Sequence, residues 1–187
     1  MIILASQSPR RQQLMHRITD DFIVDISHIN ESTSLNMAPI EAVLDIAKRK
    51  GMDIVKKHPH QLVISADTIV VIDGNILGKP VDENDARRML NILSNRTHEV
   101  ITAFCLLKDD KILEKYVISK VTFNKLNSKL IDEYIKSGSP MDKAGAYGAQ
   151  DNKDFEIIKN IDGSKDNVIG FPVDEIIKAI EEFEKIA

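Results

Sequence analysis

Four places in the sequence carry side chains whose types and spacing suit chemistry on a bound anion. The first is Ser6-Gln7-Ser8-Pro9-Arg10-Arg11, directly behind the apolar run Met1 to Ala5. A strand leading into a helix is expected there, with Ser8 as N-cap and Pro9 as the first helical residue. The unpaired N–H groups of a helix start, the positive end of its dipole, two hydroxyls and two guanidinium forks are the parts of a phosphate cradle. Taken alone, the same six residues also read as an ordinary helix cap with two solvated arginines.

The second place is Asp67, which interrupts the apolar, β-branched run Leu62 to Ile72. A carboxylate in such a strand is costly unless it lies at a cleft or is matched by a cation or metal; a structural hydrogen-bonded Asp is the plainer alternative. Asp73-Gly74 suits a two-residue hairpin turn, which would pair Ile72 with Asn75, Val70 with Leu77 and Thr68 with Lys79, setting Lys79 beside Asp67. Gly74 to Lys79 is not a nucleotide P-loop, because its glycines are one residue too close and Pro80 stands where a hydroxyl residue is needed. The third place is Lys50, which falls inside the apolar stripe of Val43, Ile46, Ala47 and Ile54 on a helix opened by Pro39. An inward-facing lysine invites an anion, though snorkelling along the stem is an alternative. Lys48 and Arg49 lie off that stripe and read as solvated.

The fourth place is Ser137 to Gln150, too rich in glycine and small residues for a core element. Gly145 and Gly148 permit unusual backbone angles, Tyr147 offers a flat apolar face, and Gln150 offers a donor and an acceptor suited to a base edge. A structured surface loop would have the same composition, but its length favours a binding loop.

These residues need a scaffold, and the rest of the chain describes one. Short strands alternate with helices, without repeats or low-complexity linkers, which argues for an α/β fold. Strands are expected at Met1–Ala5, Asp20–Ile26, Leu62–Ile72, Val100–Leu107 and Ile112–Phe123, with a polar loop from His28 to Met37 that contains Glu31. Helices are expected from Pro39, over Asp85–Leu93 with Asp82 as cap, from a Ser128 cap to near Gly138, and behind Pro172. The 187 residues, 43% hydrophobic, suit one domain or two small lobes. With 25 basic and 29 acidic residues the net charge is −4, which opposes non-specific binding to nucleic acid or anionic membranes, so any anion site must be local. One cysteine, Cys105, in an apolar run, and no apolar stretch near the roughly 20 residues that span a bilayer fit a cytoplasmic protein.

In order along nearly the whole chain, the sequence resembles the Maf family, also called septum formation inhibitor proteins, which are nucleoside triphosphate pyrophosphatases. The matching blocks are Ser-x-Ser-Pro-Arg-Arg at 6 to 11, Asn30-Glu31, Ile46 to Lys50, Ser65 to Val70, Gly78-Lys79-Pro80, Thr97 to Val100, Asp142 to Gln150 and Asn167 to Pro172. The first block and Ala144-Gly145-Ala146-Tyr147-Gly148 are the most specific. The resemblance implies a single domain over 1–187. Its fold would be an elongated mixed β-sheet with flanking helices and two lobes around a cleft, as in inosine-triphosphate pyrophosphatases. It also implies hydrolysis between the α and β phosphates with a divalent metal, Mg²⁺ or alternatively Mn²⁺, and a homodimer. By the same resemblance, Asp67 is the proton acceptor and Glu31 a metal or water partner, so that both are metal ligands. Ser6, Ser8 and Arg11 grip phosphate, Lys50 and Lys79 neutralise it, and Arg10, Thr68 and Gln150 bear on substrate choice.

The Gly-Ala-Tyr-Gly-x-Gln pattern is similar to the branch that prefers dTTP, UTP and modified pyrimidine triphosphates. Four positions depart from the pattern: Ser139 where Glu is usual before Pro, Ala149 for a larger aliphatic residue, Asp151 for Gly, and Asp166 where an uncharged residue is common. A non-catalytic regulator of cell division that binds nucleotide or nucleic acid is the alternative. The pair Glu31 and Asp67 speaks against it, because mere binding needs the cations and not two carboxylates.

Overall fold

The computed structural model describes residues 1–32 and 37–186, so Thr33 to Asn36 of the expected polar loop lie outside the described residues. Among these residues, strands β1 (Ile2–Ala5), β2 (Phe22–Val24), β3 (Leu62–Ile72), β4 (Asn75–Leu77), β5 (Thr97–Lys108), β6 (Lys111–Phe123) and β7 (Ile158–Asp162) form a mixed sheet. Its order is β2-β1-β3-β5-β6-β7, with β4 paired to β3 off that path. Helices are α1 (Pro9–Met15), α2 (Pro39–Val55), α3 (Glu83–Leu93), α4 (Ser128–Lys136), α5 (Asn152–Phe155), α6 (Lys165–Ile169) and α7 (Val173–Ile186). The α/β expectation holds, and no helix of the described residues is long and apolar enough to cross a membrane.

The chain forms two compact units that it enters more than once. The first comprises Met1–Thr68, Thr102–Val117 and Gly170–Ala187. Here β1 runs parallel to both β2 and β3, the arrangement expected of strands joined through helices. The apolar face of α2 buries Val43, Ile46, Ala47 and Ile54, as its spacing predicts. It approaches the sheet very closely at Gly51, where an added Cβ would lie 2.2 Å from Leu107 Cδ1 and 2.7 Å from Ser65 Oγ. Ser65 Oγ donates to Ala47 O at 2.7 Å, pinning the same helix to β3. Cys105 is fully buried on β5, and burial pushes its thiol up to about 12, as suits inert core filler.

The second unit comprises Ile69–Ile101 and Ile118–Ile169. The hairpin of β3 and β4 pairs Ile72 with Asn75 and Val70 with Leu77, in the expected register. Asp73 and Gly74 both take positive φ, 51° and 74°, the geometry whose twist suits a two-residue hairpin turn. The ladder ends there, short of the expected Thr68–Lys79 pair, because β4 stops at Leu77 and Gly78 to Pro80 leave the sheet. The core gathers Leu90, Leu93, Val100, Phe123, Tyr134 and Tyr147 from α3, both long strands, α4 and the glycine-rich segment. Two local expectations are corrected. The cap of α4 is Asn127, whose side chain accepts from Leu130 N, with Ser128 already helical; and β2 is shorter than Asp20–Ile26, keeping only the residues that pair with β1.

Candidate active site

The loop after β1 folds as its residues dictate. Ser8 is extended and caps α1, with Pro9 as first residue, although its Oγ accepts from Arg11 N at a long 3.5 Å. Ser6 is buried, and its Oγ accepts from Ser8 N at 3.2 Å and from Arg11 Nη1 at 3.3 Å. Arg10 is the second residue of α1 and partly exposed.

Arg11 is the keystone of this corner. Its Nε donates to Gly170 O at 2.8 Å, Nη1 to Ala66 O at 2.9 Å as well as to Ser6, and Nη2 to Thr68 Oγ1 at 3.1 Å. Four of its five N–H groups are thus committed to the protein, so it braces the loop against the middle of β3 and the turn between α6 and α7. Burial lowers its pKa, opposed by the nearby negative charge of Asp67 and Glu31. Thr68 Oγ1 shares a further hydrogen bond with Thr102 Oγ1 at 2.9 Å. Gly170 has φ +113°, and an added Cβ there would lie 3.1 Å from Thr68 Oγ1, so the glycine lets its carbonyl reach Arg11.

Next to this corner stands a carboxylate–lysine–carboxylate group. Lys50 Nζ lies 2.7 Å from Asp67 Oδ1 and 3.0 Å from Glu31 Oε1. The lysine and Asp67 side chains are 11% and 13% exposed, whereas that of Glu31 is 51% exposed. The inward lysine therefore has its anionic partners, and the charge inside β3 is matched by a cation. Glu31 is on a loop, yet it is held. Arg49, the residue before Lys50, donates from Nη1 to Asn30 O at 2.5 Å and from Nη2 to Ser32 O at 3.0 Å, with its Nε on Asp45 Oδ2 at 2.8 Å. Helical phase alone marks Arg49 as solvated. The sequence signal for its role is weak: a fork-shaped donor adjacent to an inward lysine.

The second unit holds the other two candidates. Lys79 is exposed in the segment after β4, where Gly78 O accepts from Gly145 N at 3.0 Å. That bond ties the segment to the glycine-rich stretch, at a residue with φ +67° whose Cβ would meet Val70 Cγ2 at 2.9 Å. Gln150 lies in a 3₁₀ turn, Ala149–Asp151. Its Oε1 is buried without a hydrogen-bond partner. His98, from the Thr97-His98-Glu99 block, carries no sequence signal of a role beyond that block; it is buried, and its Nε2 lies 2.6 Å from Tyr147 Oη. Its ring also packs edge-on against Phe123 and Tyr147.

The first unit thus gathers two carboxylates, an ammonium and hydroxyl groups in one place, from Asp67, Glu31, Lys50, Ser6 and Thr68, braced by Arg11. The family profile described as Maf-like protein matches residues 1–183. The chain belongs to the Maf family. Among the Maf proteins it resembles, one from Pyrococcus furiosus named dTTP/UTP pyrophosphatase is 45% identical over 180 residues, 96% of this chain and 94% of the relative. One of the same name from Bacillus pumilus is 40% identical over 182 residues, 97% and 96% of the two chains. The fold is also that of Ham1 proteins. Solved structures from Coxiella burnetii and Staphylococcus aureus each superpose with TM-score 0.52 at 15% identity, covering 97% and 98% of this chain and 98% of theirs.

Proposed function

We propose that this Maf protein hydrolyses nucleoside triphosphates between the α and β phosphates, with dTTP and UTP as preferred substrates, and that Asp67 is the proton acceptor. The observation that carries this reading is the Asp67–Lys50–Glu31 group: two carboxylates on one ammonium, one shielded and one open, at the end of a hydroxyl-lined and Arg-braced loop. Relatives named dTTP/UTP pyrophosphatase at 45% and 40% identity support the substrate class.

In this reading the shielded Asp67 orients an attacking water and takes its proton, as a carboxylate within hydrogen-bond reach can. Lys50 holds Asp67 in place and offsets charge on the triphosphate. Ser6, Ser8 and the Arg11-braced backbone bind phosphate oxygens, with Lys79 as a further cation. Arg10, Thr68 and Gln150 bear on substrate choice.

The donor set also fits a divalent metal. Among the described residues no three His, Cys, Asp or Glu side chains gather for one, but two carboxylates suffice for Mg²⁺ or Mn²⁺ in nucleotide sites, where water and phosphate complete the shell. Glu31 and Asp67 would hold it, and when bound it would neutralise phosphate charge.

The test is pyrophosphate release from a panel of nucleoside triphosphates with Mg²⁺. We expect dTTP and UTP to be cleaved well above GTP, and Asp67→Asn to lower kcat by roughly 10²- to 10⁴-fold in a protein that still folds cooperatively. No cleavage of any triphosphate would refute the activity, and an equally active Asp67→Asn would refute the assigned base.

A further inference from the structure

Asp151 directly follows Gln150, and its side chain is 16% exposed. Its Oδ2 accepts from Tyr134 Oη at 2.6 Å and from Ser139 Oγ at 2.7 Å, with Lys143 Nζ at 3.8 Å. Lys143, 8% exposed, donates also to the backbone carbonyl of Ser139, to Ser139 Oγ at 2.9 Å and to Asp142 Oδ1 at 2.8 Å. Tyr134 Oη in turn accepts the backbone N–H of Gly148 at 3.1 Å. One carboxylate thereby ties α4, the 3₁₀ turn Ser139–Asp142, a buried lysine and the backbone of Gly148 into a single cluster. Two of the four departures from the family pattern, Ser139 and Asp151, are bonded to each other in it.

Gln150 is packed into the same cluster. A Cβ added at Gly148 would come within 2.8 Å of Gln150 Nε2 and 2.7 Å of Lys143 Cε, so the amide lies against the backbone that Tyr134 holds. Its Oε1 is a buried acceptor with no partner from the protein, which is unusual unless a ligand supplies the donor. The base-pairing edge of uracil or thymine presents an N–H donor beside a carbonyl acceptor, and cytosine presents the inverse order. An amide fixed in one orientation tells these apart. An amide free to flip by 180° accepts both.

We propose that Asp151 is a positioning residue for base selection: through Tyr134, Ser139 and Lys143 it locks the Gly148–Gln150 backbone, so that the Gln150 amide keeps one orientation and distinguishes uracil and thymine from cytosine. This rests on the nucleotide hydrolase reading and on Gln150 meeting the base.

The experiment compares kcat and KM for UTP and CTP in the wild-type protein, Asp151→Gly, Asp151→Asn, Tyr134→Phe and the double variant Asp151→Gly/Ser139→Glu. The double variant returns a carboxylate beside Lys143, since Ser139 Oγ already touches both Lys143 Nζ and Asp151 Oδ2. The wild type is expected to favour UTP. Asp151→Gly is expected to lower the UTP-to-CTP ratio of kcat/KM by about tenfold, mostly through KM, and the double variant to recover most of that ratio. A wild type indifferent to the two bases overturns the proposal. So does an unchanged ratio in a folded Asp151 variant, or an equal loss of kcat on both nucleotides, the mark of a merely structural role. If Asp151→Gly fails to fold, Asp151→Asn and Tyr134→Phe give the same reading. Should the wild type cleave neither nucleotide, the hydrolase reading falls on its own, and the ratio of UTP and CTP dissociation constants measured without metal decides the role of Asp151.

Discussion

The two units handle buried polarity in opposite ways. In the first, charge is matched across elements and left accessible: Lys50 joins Asp67 of β3 to a half-exposed Glu31, and Arg11 spans three backbone or hydroxyl acceptors besides Ser6. In the second, charge is gathered close in sequence, around a buried Lys143 with Asp142 exposed and Asp151 shielded. The Gln150 Oε1 and the His98 Nδ1 are buried there without a hydrogen-bond partner, as the Gln61 Oε1 is in the first unit. A polyanion is best met by charge that can rearrange at small cost, whereas a base edge is best met by uncharged groups held in one pose.

Arg11 offers the hardest test of the contrast, because it is charged yet spends its donors on the protein. Arg11→Ala strands Gly170 O and Ala66 O and is expected to cost about 2–4 kcal/mol in denaturant unfolding. Arg11→Lys should recover little of it, since an ammonium cannot reproduce the fork. Full recovery by lysine would mean that charge matters there and bracing does not.

His98 sharpens the other side. Burial lowers its pKa to about 4 from an ordinary 6.5. The unfolded chain then binds the proton more readily than the fold does, so stability is intact above about pH 6.5 and falls as pH drops toward 4. The full loss is about 3–4 kcal/mol. A His98→Gln variant should show a shallower decline of stability over that window; an identical decline would assign the acid sensitivity elsewhere.

The smallest expected effect comes from Gly51→Ala. The new methyl must displace Leu107 or Ser65, for about 1–3 kcal/mol by overpacking. It should also reduce turnover several-fold, since Lys50 is the residue immediately before it. Reduced stability with unchanged turnover would show that the position of α2 and the carboxylate pairing are independent.

Much of this was readable in the residues. The β-branched run with one carboxylate gave β3 and Asp67, the Asp-Gly turn gave the hairpin register, and a lysine inside an apolar stripe implied a partnered charge. Three things were not readable. Lys79 was set beside Asp67 by extending a ladder that ends at Leu77, and a sequence does not say where pairing stops. Apart from Ser6, the partners of Arg11 are 55 to 159 residues away, beyond any local pattern. Arg49 lies off the stripe, and its hold on the loop is invisible to pattern because the acceptors there are backbone carbonyls, which carry no side-chain signature.

The tether from Arg49 has one more consequence. Consecutive residues of α2 hold both flanks of Glu31 and the shared ammonium, so the gap between the two carboxylates is set by a helix and not by the loop that carries one of them.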